Sequence, residues 1–355
     1  MGTNTMNRLN EVYLHQLDKV ISVRKRELAL LNGKSILIIG ASGLVGTFLI
    51  DVLMRFNHEH EGSILIFGMA RNLTKLTNRF SEYEGSSLFS IVQADVTKEM
   101  KFEHRIDFIL HGASNTHPMA YATDPVGTIL TNVLGTKSVM DFASGKGTER
   151  VLFLSSVEIY GENAGDVELF DEQYLGYIDS NTVRAGYPEA KRVSESLIQA
   201  YRSQFGVNAV IARLSRVFGP TMQLGDSKAL SQFIANGVNE RDIVLKSAGT
   251  QRFSYTYVGD VVSAILLLLF AGLDGAAYNV SDAEYNLSLG EMAELISHIS
   301  GTQVVYEIPD EIESKGYSKA TRALMDATKL QRLGWHSVFE MREALSETIN
   351  ILKEK

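Results

Sequence analysis

The stretch that most restricts the fold is Ser35-Ile36-Leu37-Ile38-Ile39, a continuous apolar run followed without a break by Gly40-Ala41-Ser42-Gly43-Leu44-Val45-Gly46. A run this apolar suits a strand covered on both faces, the kind found in parallel sheets flanked by helices. Glycines in the turn let the backbone approach a pyrophosphate. Its charge then meets the free N–H groups and positive dipole end of a helix predicted from Leu44 to Phe56. Strand, glycine turn and helix in this order predict an α/β protein that holds a dinucleotide on Gly40, Ser42, Gly43, Leu44, Val45 and Gly46.

Further short strands are predicted at Ser63–Phe67, Phe89–Gln93, Asp107–Leu110 and Val151–Ser156, which completes a Rossmann-type parallel sheet with helices on both faces. Ligands of such sheets sit at the carboxyl ends of the strands. Asp95 and Val96 are therefore expected beside an adenine ring, and His111, Ala113 and Ser114 beside the nicotinamide half. After the second strand the chain reads Gly68-Met69-Ala70-Arg71-Asn72. A carboxylate here usually binds the ribose hydroxyls of NAD, whereas an arginine accommodates the phosphate of NADP. NAD is the expected cofactor, and Arg71 leaves NADP open. His58 and His60 flank Glu59 in a polar loop with no third ligand in view, so no metal site is expected.

Chemistry enters at Arg184-Ala185-Gly186-Tyr187-Pro188-Glu189-Ala190-Lys191. On a helix, a four-residue spacing puts Tyr187 and Lys191 on one face. An unperturbed phenol has a pKa of about 10 and is ionised in about one molecule per thousand near neutral pH. A neighbouring ammonium lowers that pKa and makes the tyrosine a usable base. The strand at Val151–Ser156 ends in hydroxyls and runs into Val157-Glu158-Ile159-Tyr160-Gly161, so Ser156 and Glu158 can converge with Tyr187 and Lys191 above the strand ends. Serine suits a hydrogen bond to a hydroxyl being oxidised, and Lys191 can also hold the nicotinamide ribose.

Composition narrows the partners. The chain has 355 residues, 45% hydrophobic and 21% charged, enough for a large core and two lobes. A formal charge of -8 argues against nucleic acid held on a broad basic face. With no cysteine there are no disulfides or thiolate metal sites, which suits a reducing compartment. No secretory pattern is visible at the N-terminus, and the longest apolar run, Ala264 to Ala271, is too short for a bilayer. A cytoplasmic protein without a membrane partner is expected. Asn7 to Leu31 predicts one helix whose apolar side carries Leu9, Tyr13, Leu17, Val20, Ile21 and Leu28, packed on the domain body or, alternatively, serving as an oligomer contact or lid.

The glycine turn, Ser156 and Tyr187 with Lys191 together resemble the extended short-chain dehydrogenase/reductase family that acts on nucleotide sugars, the NAD-dependent epimerase/dehydratases. The resemblance runs from about Gly33 to the C-terminus. Two stretches are most similar to UDP-glucuronate decarboxylases: Tyr174-Leu175-Gly176-Tyr177-Ile178-Asp179 through Arg184–Arg192, and Gly219-Pro220-Thr221-Met222-Gln223-Leu224-Gly225-Asp226-Ser227. It implies Ser156 and Tyr187 at the sugar C4 hydroxyl, Lys191 supporting Tyr187, and Glu158 as a catalytic glutamate. It also implies that Arg322, spaced back from Gly334-Trp335, is an arginine of the decarboxylase site. The nucleotide diphosphate sugar is expected on Ser114, Asn115, Arg216, Arg252 and Arg322.

Three departures stand out. Val157 occupies the place of an aspartate that helps many dTDP-glucose dehydratases expel water. Arg216 occupies the place of a substrate-binding asparagine. The arginine expected two positions after Gln251 is displaced, since the chain reads Gln251-Arg252-Phe253. The resemblance further implies a homodimer through helices at about 124–144 and 186–205. The expected layout is an N-terminal helical extension (1–32), a dinucleotide-binding domain (33–215) and a smaller substrate lobe (216–355), with about 252–271 returning to the first domain. The reaction expected is C4 oxidation to a 4-keto sugar followed by decarboxylation. The alternatives are 4-epimerisation, 4,6-dehydration, net reduction with NADPH, and, in another class, a dinucleotide-sensing protein without turnover.

Overall fold

The computed structural model describes residues 7–114, 118–307 and 321–354. Its largest sheet has seven strands: β1 (Ser35–Ile39), β2 (Leu65–Ala70), β3 (Phe89–Gln93), β4 (Phe108–His111), β5 (Arg150–Ser156), β6 (Ala209–Leu214) and, later in the chain, β10 (Ala277–Val280). They pair in parallel in the order β10-β6-β5-β4-β1-β2-β3. The apolar run of β1 has a simple cause. Side chains alternate between faces along a strand: Ile36 and Ile38 enter one apolar core with Phe48 and Leu110, while Leu37 and Ile39 enter a second with Ile109, Val139 and Ile198. Both faces are covered, so no residue of β1 can be polar except the first.

Helix α3 (Leu44–Glu59) supplies Phe48, Leu49 and Val52 to the first core; α6 (Pro125–Lys146) and α7 (Gly186–Phe205) supply Val139 and Ile198 to the second. From β1 the chain steps outward through β2 and β3, then crosses back and steps the other way through β4, β5 and β6. The reversal opens a crevice at the carboxyl ends of β1 and β4.

The N-terminal segment forms two helices, α1 (Glu11–Val23) and α2 (Lys25–Leu30), rather than one. The break falls at Arg24, whose buried side chain donates from Nε to Ser263 Oγ at 2.8 Å on α9 (Val258–Ala271). Tyr13, Leu17, Val20, Ile21 and Leu28 are buried in the first core, whereas Leu9 is exposed. The segment is pinned by a buried carboxylate: Asp51 on α3 accepts from Arg8 Nε, Tyr13 Oη and Tyr83 Oη at 2.8, 2.7 and 2.9 Å. This packing makes it part of the domain body.

The second lobe contains a small sheet of β7 (Arg216–Phe218), β9 (Arg252–Tyr257), β11 (Asn286–Ser288) and β13 (Arg322–Ala323), and the pair β8 (Ile243–Leu245) with β12 (Val304–Tyr306). Around them pack α8 (Ala229–Val238), α10 (Leu289–Ser300) and the terminal helix Met341–Lys353. The segment returning to the large sheet runs beyond 271, because β10 at 277–280 forms its edge strand. Among the described residues no helix is long and apolar enough to cross a membrane, and no cluster of three metal-ligating side chains occurs.

Candidate active site

One cleft runs along the carboxyl ends of the large sheet and continues under the second lobe. At its start Gly43 caps α3 with no side-chain hydrogen bond, so the first N–H groups of the helix are left for a ligand. Two glycines are required by packing. A Cβ on Gly46 would lie 2.5 Å from the Gly40 carbonyl oxygen, and one on Gly40, whose φ is +93°, would lie 2.9 Å from the Gly112 backbone. Thr221 Oγ1 donates to the Leu44 carbonyl at 2.8 Å and ties the second lobe to this turn.

Past β2, Met69, Ala70, Arg71, Asn72 and Lys75 line the cleft. Asn72 caps the following short helix by accepting from Lys75 N at 2.8 Å. Burial and the charge of Arg79 hold the Lys75 ammonium below its ordinary pKa. Val96 and Ala94 line the wall expected for adenine. Asp95 does not: it accepts from its own turn, Thr97 N and Oγ1, at 3.0 and 2.9 Å, and those bonds keep its carboxyl below the usual range.

His111 is a correction. Ala113 and Ser114 line the cleft, but the imidazole of His111 is buried on the other side of β4 and reaches Thr136 Oγ1 on α6 at 3.2 Å. Burial, with the charge of Lys191, drives its pKa down to about 3, so it is neutral. Asn115 lies outside the described residues.

Ser156, Glu158, Tyr187 and Lys191 all line the same part of the cleft. Tyr187 sits in the first turn of α7, and Lys191 is one turn later on the same side. The ammonium does not rest against the phenol oxygen. Lys191 Nζ donates to the Leu154 carbonyl of β5 at 2.7 Å and lies 4.5 Å from the Phe153 ring centroid and 6.0 Å from that of Tyr187. Burial pulls the Lys191 pKa down to about 7. Burial also pushes the Tyr187 phenol up to about 12; a hydrogen bond with Ser156 and the charge of Arg184 pull against that shift, and Glu158 adds to it.

Arg184 and Tyr121 are the residues that sequence reasoning passed over. Arg184 Nη2 donates to Glu158 Oε2 at 2.7 Å, and its guanidinium carbon lies 5.2 Å from the centroid of Tyr121. Tyr121 stacks on Tyr187 with centroids 4.9 Å apart and planes 23° from parallel. Burial raises the Tyr121 phenol pKa well above the tyrosine range. Arg184 stood inside the stretch already singled out, three residues before Tyr187, which was the available signal. Tyr121 had none, since no local pattern shows that its ring meets α7.

Under the second lobe the three expected arginines separate. Arg216 lines the cleft with Gln223, Asp226 and Lys228, and its guanidinium carbon lies 3.6 Å from the Phe253 ring centroid. Arg252 and Arg322 do not line this cleft. Arg252 donates to the Asn286 carbonyl at 2.9 Å and lies 3.6 Å from Glu291; Arg322 donates to Glu168 at 3.2 Å. The cause is strand alternation. Arg216 is in register with Tyr255 and so shares its face and that of Phe253, whereas Arg252 and its register partner Arg322 take the opposite face.

The sequence model of the NAD dependent epimerase/dehydratase family matches residues 36–281. The chain is 30% identical over 323 residues to UDP-glucuronic acid decarboxylase 1 of Xenopus tropicalis, covering 91% of this chain and 73% of that protein. It is 31% identical over 319 residues to UDP-glucuronic acid decarboxylase 3 of Arabidopsis thaliana, covering 87% and 86%. Among solved structures, an epimerase of Methanothermobacter thermautotrophicus superposes with a TM-score of 0.79 at 21% identity, covering 94% of this chain and 96% of that one. A UDP-glucuronic acid 4-epimerase of Bacillus cereus, in complex with UDP-glucuronic acid and NAD, superposes with a TM-score of 0.76 at 18% identity, covering 90% and 99%. At these identities the superpositions establish the shared fold.

Proposed function

We propose, from the premise that this chain belongs to the NAD-dependent epimerase/dehydratase family, that it is an enzyme oxidising a nucleotide diphosphate sugar at C4 and then decarboxylating it. NAD fits the residues present: the uncapped start of α3 after Gly43 for its pyrophosphate, and a wall of Met69, Ala70, Arg71, Val96 and Ala113. When bound, it would supply a reversible hydride acceptor for C4, so none would be consumed. The rest falls to the chain. Ser156 hydrogen-bonds the C4 oxygen and Tyr187 takes its proton. Lys191, anchored on β5 by the Leu154 carbonyl, keeps α7 and the phenol at the strand ends.

A C4 ketone lets the C5–C6 bond of a uronic acid break, with carbon dioxide leaving and the electron pair taken up as an enolate on the C4 oxygen. A proton from solvent then returns to C5, while Tyr187 gives its own back to the C4 oxygen. The observation that favours this outcome over dehydration is the Glu158–Arg184 ion pair at 2.7 Å beside the buried Val157. Loss of water from C6 needs a base for the C5 proton and an acid for the departing hydroxyl. Here the carboxylate is already engaged and the neighbouring side chain is apolar. Decarboxylation breaks a carbon–carbon bond instead and needs no base at C5, and the ion-paired Glu158 serves afterwards to hold the water that returns the proton. Arg216 and Lys228 supply positive charge for the diphosphate.

The same reading includes a homodimer. Val126, Ile129, Leu130 and Leu134 expose a stripe on α6, and Val193 adds to it from α7. Residues spaced three, four and eight apart share one helix face, and a patch of that kind suits a second copy.

The test of the reaction is to incubate the purified protein and NAD separately with UDP-glucuronate, UDP-glucose, dTDP-glucose and GDP-mannose, following product masses. Release of carbon dioxide from UDP-glucuronate is the expected outcome. An isomer of unchanged mass would move the assignment to epimerisation, and loss of water from a hexose would move it to dehydration.

A further inference from the structure

Arg184 lies in the tight turn Val183–Ala185 that leads into α7, one turn ahead of Tyr187. Its contacts run in two directions. Toward β5 it meets Glu158 at 2.7 Å, with both side chains about one-quarter exposed, at 26% and 25%. Toward the short helix Pro118–Thr123 its guanidinium carbon lies 5.2 Å from the ring centroid of Tyr121, which stacks on the ring of Tyr187.

Two of its nitrogens, Nε and Nη1, are buried without an acceptor among the described residues. A second arginine at this end of α7 uses its donors to tie loops together. Arg192, the residue after Lys191, does so: Nε and Nη2 donate to the carbonyls of Ile159 and Gly176 at 2.7 Å each. Arg184 is held instead by the carboxylate and the ring, both of which belong to the reacting end of the cleft.

We propose that Arg184 is a positioning residue that couples the two proton-handling groups of the site. It fixes the Glu158 carboxylate with one nitrogen and, through Tyr121, fixes the plane of the Tyr187 phenol. This rests on the reading above, in which Tyr187 and Glu158 carry the protons of a 4-keto sugar. The physical content is a shared constraint. Glu158 stands on a short turn and would otherwise choose among rotamers, and the Tyr187 ring is kept at one tilt by the ring above it. A planar guanidinium serves both because it can donate in its plane and stack across its face. Arg184 itself does not line the cleft, so it acts through its two neighbours.

The decisive experiment is a double-mutant cycle of Arg184→Ala and Glu158→Gln in the full chain with NAD, using whichever sugar nucleotide the wild type turns over. Turnover, reduction of bound NAD at 340 nm and UDP affinity by calorimetry are read for each protein. Expected for Arg184→Ala is a kcat lower by about 100-fold, the cost of a misplaced group, with UDP affinity unchanged within about twofold. In the Glu158→Gln background, Arg184→Ala should cost well under its own factor of about 100, because its effect through Glu158 is already lost and only its effect through Tyr187 remains. Arg184→Lys keeps the charge and should recover part of kcat; if Arg184→Ala fails to fold, the lysine variant carries the same cycle.

Losses that multiply in the double variant would overturn the proposal, as would a fall in UDP affinity parallel to kcat, or a folded Arg184→Ala protein that works at the wild-type rate. The identity of the wild-type product tests the decarboxylase reading separately. An isomer or a dehydrated sugar would sink that reading, while the cycle is still decided on the substrate that gave it.

Discussion

Lys191 shows how far a spacing argument reaches at the scale of one residue. Four residues from Tyr187 on a helix, it shares the expected face, yet its ammonium is spent on a backbone carbonyl of β5. The consequence can be measured. Its pKa is lowered by burial from 10.5 to about 7. The unfolded chain therefore keeps this proton up to the ordinary lysine range, while the folded chain releases it near neutrality. Between those limits the unfolded state binds more protons, so this group makes stability rise with pH. Melting temperatures of the wild type and Lys191→Met, taken at about pH 6 and about pH 9, should show a gain with pH that is larger in the wild type. Equal changes in the two proteins would place the ammonium in contact with water.

At the scale of elements, the join between β1 and α3 makes a sharp prediction about glycine. Replacing a glycine inside a helix by alanine ordinarily stabilises by about 1 kcal/mol. Gly145, near the end of α6, has no atom within 4 Å of an added Cβ and should follow that rule. Gly46, in the first turn of α3, should do the reverse, because its Cβ would meet the Gly40 carbonyl oxygen at 2.5 Å and push the turn open. Gly46→Ala is expected to lower the melting temperature and weaken NAD binding, with Gly145→Ala as the matched control. A Gly46→Ala protein as stable as that control and equally able to bind NAD would refute the close packing of this turn.

At the scale of the whole molecule, the prediction concerns the apolar stripe on α6 and α7. Light scattering after size exclusion should give twice the mass of one chain for the wild type. Leu130→Glu combined with Val193→Glu, both exposed in the single chain, should give one chain mass with little loss of monomer fold. A wild type that is monomeric at tens of micromolar, as an order of magnitude for a family-type dimer, would remove the homodimer from the proposal.

Much of this protein was determined by its sequence alone. The order strand, glycine turn, helix; the four apolar residues of β1; and the pairing of Tyr187 with Lys191 on α7 all depend on neighbours within one or two turns of chain. Backbone periodicity is a local property, so it can be read locally. The tertiary structure alone decided which of the expected groups meet. Arg216 reaches the cleft because its register with β9 puts it on the Phe253 face, and Arg252 is turned away by the same alternation. His111 points into the α6 layer rather than to the cofactor side, again by one step of a strand. Glu158 is engaged by Arg184, and Tyr187 is covered by Tyr121, only because three segments distant in sequence close over the end of one sheet. Contacts of that kind are set by strand register and packing, where a shift of one residue reverses every side chain and no local spacing records the choice.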